Sequence, residues 1–290
     1  MSSKPIEALR SLLDAPGLRV MPCCFDALSA KLIEQAGFPL SFMSGFAVSA
    51  ARLGMPDTGL ISYGEMLDQG RNICDAVSIP VIGDADTGYG NAMNVKRSVA
   101  GYAQAGFAAV MIEDQLAPKR CGHTRGKEVV SRGEALARIQ AAVDARDEGA
   151  GALIMARTDA RATDGFDEAL RRCQEFARIG ADILFLEAPQ SEQEMIALCR
   201  EIPGPKMANM VEQGDTPLLS PERLEEIGYK IAAYPLSLLS ASVRAMRDAL
   251  RAFSEGRHPE GLLDFAELRS LVGFTDYDDE SARYSGSEDD

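Results

Sequence analysis

Eight short runs of β-branched and apolar residues recur along the chain, each followed by a stretch with helical spacing. In order they read LRVMPC, LSFMS, IPVIGDAD, AAVMIED, ALIMARTD, ADILFLEAP, PKMANM and YKIAAYP. Between them, Asp26 is placed to cap a helix on which Leu28, Leu32 and Ala36 share one face, and SRGE from Ser131 to Glu134 spells a capping box before Leu136, Ile139 and Val143. Ser220 precedes Pro221, which suits a first helical position because its missing N–H costs nothing there. QAGF ends at Phe38 and again at Phe107, with RIGAD and EIGYK in equivalent places; each glycine is expected to stop a helix in the left-handed conformation just before a strand. Eight strand–helix units predict one (β/α)8 TIM-type barrel domain over residues 1–290. A doubly wound open sheet is disfavoured, since no G-x-G-x-x-G turn opens the first helix. Helical spacing then continues over about 236–275, through DFAELRSLV, which is more helix than the barrel needs and is expected at a subunit interface. Residues 276–290, rich in Asp and Glu, read as a solvated acidic tail.

Charge narrows the partners. A net charge of −14 would repel nucleic acid or an anionic membrane over most of the surface, so neither is expected. The six cysteines lack zinc-ribbon spacing and imply no disulfide framework. The N-terminal residues lack the apolar core of a signal peptide, and no run approaches the roughly 20 apolar residues of a membrane span. A cytoplasmic location follows as an expectation, with thiols kept reduced.

In barrels of this kind the chemistry sits at the C-terminal ends of the strands, where the βα loops meet. Polar residues follow the apolar runs there in GDADTGYGN, IEDQ, ARTDA, LEAP and ANM, and at Ser44-Gly45. Asp84 and Asp86 are two apart, so on an extended strand both carboxylates point into the barrel mouth. With Glu113 and Asp114 they form a cluster of hard oxygen donors suited to Mg²⁺ or Mn²⁺, although strand-end turns and helix caps also use such a pair. Crowded carboxylates raise one another's pKa, which a divalent cation would relieve. Arg157 offers a planar fork for a carboxylate or phosphate, or else a structural salt bridge to these acids. Glu187 and Asn209 either bond a bound oxyanion or tie strands together.

The stretch PKRCGHTRGK follows the fourth strand and so belongs to the active face; with Gly122 and Gly126 it reads as a basic lid over an acidic site. Cys121, flanked by Lys119, Arg120 and His123, sits in an electropositive setting that lowers a thiol pKa toward neutrality and fits it to proton transfer. An exposed loop cysteine with no role is the alternative.

DADTGYGNAMNV, IEDQLAPKRCGH, ARTDA and LEAP, in this order, resemble the isocitrate lyase and phosphoenolpyruvate mutase superfamily, in its short-chain lyase branch. The similarity runs from about Ser11 to about Tyr284. The resemblance implies a Mg²⁺-dependent carbon–carbon lyase that passes through an enolate. By motif match, Asp84 and Asp86 would face the metal, with Glu113 and Asp57 holding its waters. The Ser44-Gly45-Phe46 backbone and Arg157 would bind the carboxylate of the keto-acid half, with Asp84 and Gly122 also at the substrate and Glu187 and Asn209 at the other half. Cys121 would protonate the departing enolate, with His123 and Lys119 beside it. A homotetramer built from helix-swapped dimers is also implied. Where 2-methylisocitrate lyases carry two arginines for a tricarboxylate, this chain has Ser240 and Phe265, which points to a smaller dicarboxylate of the 2-alkylmalate type, such as citramalate or 2,3-dimethylmalate; Arg244 could substitute for one of them. Phe42 stands where these lyases often have tyrosine, which makes oxaloacetate decarboxylation or hydrolysis the alternative.

Overall fold

The structure, a computed structural model, describes residues 4–122 and 126–284. Eight parallel strands are formed among the described residues: β1 Arg19–Cys24, β2 Ser41–Met43, β3 Val81–Asp84, β4 Ala109–Glu113, β5 Leu153–Thr158, β6 Ile183–Leu186, β7 Met207–Asn209 and β8 Ile231–Tyr234. All eight expected runs are therefore strands. They hydrogen-bond in the order β6-β5-β4-β3-β2-β1-β8-β7. A parallel bridge between Leu184 and Lys206, with Leu184 N–H donating to Pro205 O at 3.0 Å, brings the two edges together. The result is the TIM-type barrel, nearly closed.

The helices are α1 Lys4–Asp14, α2 Ala27–Gln35, α3 Gly45–Val48, α4 Tyr63–Ala76, α5 Ala92–Gln104, α6 Arg132–Ala145, α7 Ala160–Thr163, α8 Phe166–Ile179, α9 Glu192–Glu201, α10 Pro221–Ile227, α11 Ser237–Ser254, α12 Phe265–Leu271 and α13 Phe274–Ala282. The repeated glycines Gly37, Gly106, Gly180 and Gly228 all have positive φ, at the helix ends where they were expected. Asp26 caps α2 with a reciprocal bond to Ser29, and Pro221 opens α10. The chain falls into two compact units, Met1–Leu239 and Ser240–Asp290, of which the first holds the barrel.

Strand alternation sorts the core into two clusters. Outward-facing residues such as Val110, Ile112, Ile154 and Leu184 pack under the helices. Inward-facing Met21, Phe42, Ile82, Met111, Met155, Phe185 and Met207 fill the barrel, whose bottom is plugged by Leu9 of α1. One further step of the same alternation, at the C-terminal strand ends, reaches Ser44, Asp84, Glu113, Arg157, Glu187 and Asn209. The top interior layer of the barrel is thus polar and charged, while the layers beneath it are apolar.

Three local expectations need correction. On α2 the buried residues are Ser29, Ala30 and Ile33, while Leu28 and Leu32 are 41% and 45% exposed. Small side chains let this helix lie close to the barrel, and the leucines fall outside that contact. At α6, Ser131 caps Glu134 N–H, but the Glu134 carboxylate turns to Arg138 at 2.6 Å and does not complete the box; the buried guanidinium is the stronger partner. Part of the stretch expected as an acidic tail is helical in α13, although its residues are exposed.

Candidate active site

A cavity at the C-terminal strand ends holds about 630 Å³ of empty space, open mouth included. Of the residues expected there, Ser44, Phe46, Asp57, Asp84 and Asn209 line it. So do Lys119, Cys121, Gly122, Arg157 and Glu187. Gly45, Asp86 and Glu113 stand behind its wall, and His123 lies outside the described residues. The lining also includes the apolar side chains of Phe42, Phe185, Met207, Val211, Pro235 and Leu236, with the Arg157 guanidinium over the Phe185 ring.

The acidic side is built on β3. Asp84 is 7% exposed; its Oδ1 accepts the Asp86 N–H at 3.0 Å and its Oδ2 accepts the Gly45 N–H at 3.1 Å. Tyr102 donates its hydroxyl to Asp84 O at 2.8 Å and fixes the strand end from behind. The close approach of α3 demands glycine at 45, since a Cβ there would lie 2.5 Å from Asp84 Oδ2. Asp86 reaches the site from a left-handed backbone, φ 48°.

Lys119, two residues before the thiol, is paired with acids of the site. Its ammonium sits between Asp57 Oδ1, at 2.6 Å, and Asp86 Oδ1, at 2.7 Å, in a buried ion-pair contact. Among the described residues, Glu113 Oε1 is buried with no hydrogen-bond partner. Arg157 is held by Asp159 in a two-point pair at 2.7 and 3.0 Å, and also meets Glu187 at 3.1 Å and Glu113 at 3.2 Å. Asn209 Nδ2 donates to both Glu187 oxygens, at 3.2 and 3.3 Å. The pairing role weighed for Arg157, Glu187 and Asn209 is therefore present, and the paired residues also line the cavity.

Asp159 and Lys127 carry no distinctive signal in the sequence, yet both are buried here and joined at 2.9 Å. Asp159 N–H donates to Asp114 Oδ1 at 2.9 Å, and Asp114 Oδ2 accepts from Thr158 Oγ1 at 2.6 Å and from Arg172 at 2.9 Å. Asp114, expected as part of the metal cluster, instead braces β5 from outside the cavity. Only the second basic residue after Gly122 and the aspartate of ARTDA could have hinted at this junction. Gln115 grips the start of the loop, bonding the Arg120 backbone through both ends of its amide at 2.8 and 2.9 Å.

Seven buried carboxylates, Asp57, Asp84, Asp86, Glu113, Asp114, Asp159 and Glu187, meet four buried cations, Lys119, Lys127, Arg157 and Arg172. Burial is the main cause that raises Asp84 and Glu113 above the ordinary carboxylate range. It also raises Asp86 to about 7, with Asp84 and Asp57 adding to the shift and Lys119 opposing it. Burial works to lower Lys119, but Asp86, Asp57, Asp84 and Glu113 outweigh it and leave the pKa well above the usual lysine value. Surplus buried negative charge and the orphaned Glu113 oxygen fit a divalent cation. The described residues contain no group of three acids, histidines or cysteines converged to cage a metal directly. Magnesium keeps several waters and takes one or two carboxylates, so Asp84 and Asp86, with Glu113 and Asp57 behind them, suit it.

This electrostatics has a stability consequence. Between about pH 4 and 7 folded, metal-free protein keeps a proton on Asp86 that the unfolded chain has released, so this group's stabilisation is present at low pH and lost as pH rises through about 7. In EDTA, Tm is expected to fall by a few degrees from pH 5.5 to 7.5, and Asp86→Asn to flatten that slope. Scanning fluorimetry checks it; a Tm in EDTA that rises over the same range contradicts it.

The family model for phosphoenolpyruvate phosphomutase matches residues 9–254. Among curated relatives, 2,3-dimethylmalate lyase of Eubacterium barkeri is 44% identical over 91% of this chain and 93% of its own length. A chloroplastic carboxyvinyl-carboxyphosphonate phosphorylmutase of Arabidopsis thaliana is 41% identical over 94% of this chain and 83% of its own. The 2-methylisocitrate lyase of Aeropyrum pernix is 40% identical over 97% and 92%. Among solved structures, a 2,3-dimethylmalate lyase superposes with a TM-score of 0.93 at 33% identity, over 99% of this chain and 97% of that one. Oxaloacetate acetylhydrolase with 3,3-difluorooxalacetate also gives 0.93 at 33%, over 99% of both chains. Phosphonopyruvate hydrolase with oxalate and Mg²⁺ gives 0.86 at 32%, over 98% of this chain and 100% of that one.

Proposed function

The chain belongs to the phosphoenolpyruvate mutase and isocitrate lyase superfamily of lyases and mutases, and from that premise we propose that it is a Mg²⁺-dependent carbon–carbon lyase acting on a small 2-alkylmalate-type dicarboxylate. The observation that carries this reading is the cavity itself, which Cys121 lines together with Arg157, Glu187, Asn209 and apolar side chains fit to receive an alkyl group. Relatives named for dimethylmalate cleavage and for a Mg²⁺–oxalate complex support it.

Asp84 and Asp86 would hold Mg²⁺ (Mn²⁺ has the same preference for hard donors), with Glu113 and Asp57 bonding its waters. When bound, the ion supplies a Lewis acid to the substrate's α-hydroxyl and carboxylate pair. Arg157, with the Ser44–Phe46 segment across the cavity, binds and orients the carboxylate of the keto-acid half. Its partners Asp159 and Glu187 hold the guanidinium plane still, so little ordering is left for the moment of reaction. Glu187 and Asn209 orient the other half, while Phe185 and Met207 exclude water beside it. The hydroxyl proton leaves to water as the C2–O bond becomes a carbonyl and the C2–C3 pair moves onto the departing carboxylate half, and a proton from water restores the thiol after the step that follows. Cys121 Sγ then gives its proton to that carbon. Lys119 keeps Asp57 and Asp86 oriented beneath the loop, and His123 serves beside the thiol by motif alone.

A tricarboxylate fits less well. Positions 240 and 265, where 2-methylisocitrate lyases carry arginines, are Ser and Phe. The second reading, oxaloacetate hydrolysis or decarboxylation, is favoured by Phe42, which lines the cavity and can take no proton, and by the equal match to oxaloacetate acetylhydrolase. Incubation with Mg²⁺ and citramalate, 2,3-dimethylmalate, 2-methylisocitrate or oxaloacetate separates these. Keto acid from the alkylmalates is expected; CO₂ or oxalate from oxaloacetate alone would replace the first reading with the second.

A cytoplasmic homotetramer of helix-swapped dimers is part of the proposal. No described helix is long and apolar enough to cross a membrane. In the C-terminal unit, Met246, Leu250, Phe253, Phe265 and Val272 are 48% exposed or more, with Phe265 at 76%. Burial of such a face in an oligomer is the usual outcome. Light scattering is expected to give a mass of four chains; a single-chain mass contradicts it.

A further inference from the structure

Cys121 and Gly122 reach the cavity from a loop, and one of the contacts that hold them there lies outside the carboxylate-binding set. Lys127 is buried, with 4% of its side chain exposed, and a buried ammonium is stable only when paired. Its Nζ donates to Asp159 Oδ1 at 2.9 Å and also to the backbone carbonyl of Gly122. Asp159 is the same carboxylate that grips Arg157 at two points. Gly122 rests directly on the Arg157–Glu187 pair, since a Cβ there would lie 2.6 Å from Arg157 Nη2 and 2.6 Å from the Glu187 carboxylate. One ammonium thus ties the peptide next to Cys121 to the aspartate that orients Arg157.

We infer that Lys127 is a positioning residue for Cys121, which clamps the Gly122 carbonyl to Asp159 and so keeps the thiol at a fixed place relative to Arg157. It touches neither the cavity nor the reacting atoms, and it acts through Gly122. The clamp gives Cys121 its catalytic meaning only under the proposed lyase reading, but the geometry can be tested without turnover. Loss of a charge-assisted bond to a carbonyl frees the local backbone to open.

Iodoacetamide labelling of the full chain, followed by mass spectrometry of the peptide that carries Cys121, reads this directly. In Lys127→Met the labelling rate is expected to rise about tenfold at both pH 7 and pH 9, so that a shifted thiol pKa is not the cause. In Lys127→Arg, which keeps the charge, it is expected to stay within about twofold of the native rate. Buried Cys24 and Cys173, away from the cavity, should remain unlabelled in both variants and certify the fold. Should Lys127→Met fail to fold, Lys127→Gln carries the same expectation. Labelling of Cys121 at the native rate in a folded Met or Gln variant overturns the assignment, as does equal acceleration in Met and Arg. If the native protein cleaves alkylmalates, kcat should fall in the Met variant with KM little changed and recover in the Arg variant. Failure of all alkylmalates would sink the lyase reading and leave the labelling result to decide the clamp.

Discussion

Serine in place of Cys121 is expected to lower kcat for an alkylmalate about a thousandfold, within the range that a positioned general acid supplies, with KM within a few-fold of native. The substitution is nearly isosteric, so Gly122, Arg157 and Glu187 keep their places around the cavity. What changes is acidity: an alcohol holds its proton far too tightly to deliver it to a carbon at neutral pH. Decarboxylation of oxaloacetate asks no such step of the loop, so that activity would survive. Steady-state keto-acid release checks the expectation. A serine variant that keeps more than a tenth of native kcat removes Cys121 from the chemistry.

Asp84→Asn is expected to weaken divalent-metal binding at least about a hundredfold and to abolish measurable turnover, because it removes a charged hard donor from the centre of the site. Both Asp84 oxygens already accept backbone N–H groups, from Asp86 and Gly45, so the carboxylate is aimed before any cation arrives. Stability should move the opposite way. Burial holds the Asp84 carboxyl above its ordinary range, which means its ionised form is costly in the metal-free protein. The neutral amide lifts that cost but leaves one of the two N–H groups without its acceptor, so Tm in EDTA at pH 7.5 should rise only slightly, by about a degree. Titration calorimetry with Mn²⁺, beside a melting curve in EDTA, reads both signs. Native-like metal affinity in the variant would move the cation away from Asp84.

Much of this site was legible because barrel strands alternate. Once Met111, Met155 and Phe185 are taken as interior, the next inward positions are Glu113, Arg157 and Glu187, and the sequence carries charge at each. Glycine stops before the strands were equally plain, since positive φ at Gly37, Gly106, Gly180 and Gly228 leaves little choice of residue. Pairing was not legible. Lys119 and Lys127 look alike in a basic loop, yet one is bound between Asp57 and Asp86 and the other between Asp159 and Gly122. Nothing in local pattern reveals which lysine is desolvated, because that depends on loops far apart in the chain. The exposed leucines of α2 fail for a related reason: periodicity marks an apolar face, but close packing there selected Ser29 and Ala30. Asp114 misled because an acid next to Glu113 points to the opposite side of the strand, where Arg172 awaits it.

The central claim is that a carbon–carbon bond is cleaved to an enolate that the loop thiol protonates. Turnover of citramalate with Mg²⁺ in D₂O, followed by proton NMR of the products, tests it most directly. Pyruvate and acetate should form in equal amounts, and the acetate methyl should carry one deuteron, delivered from the exchanged thiol to the carbon that left as the enolate. No pyruvate from citramalate or any other alkylmalate, with oxaloacetate consumed under the same conditions, would contradict the account.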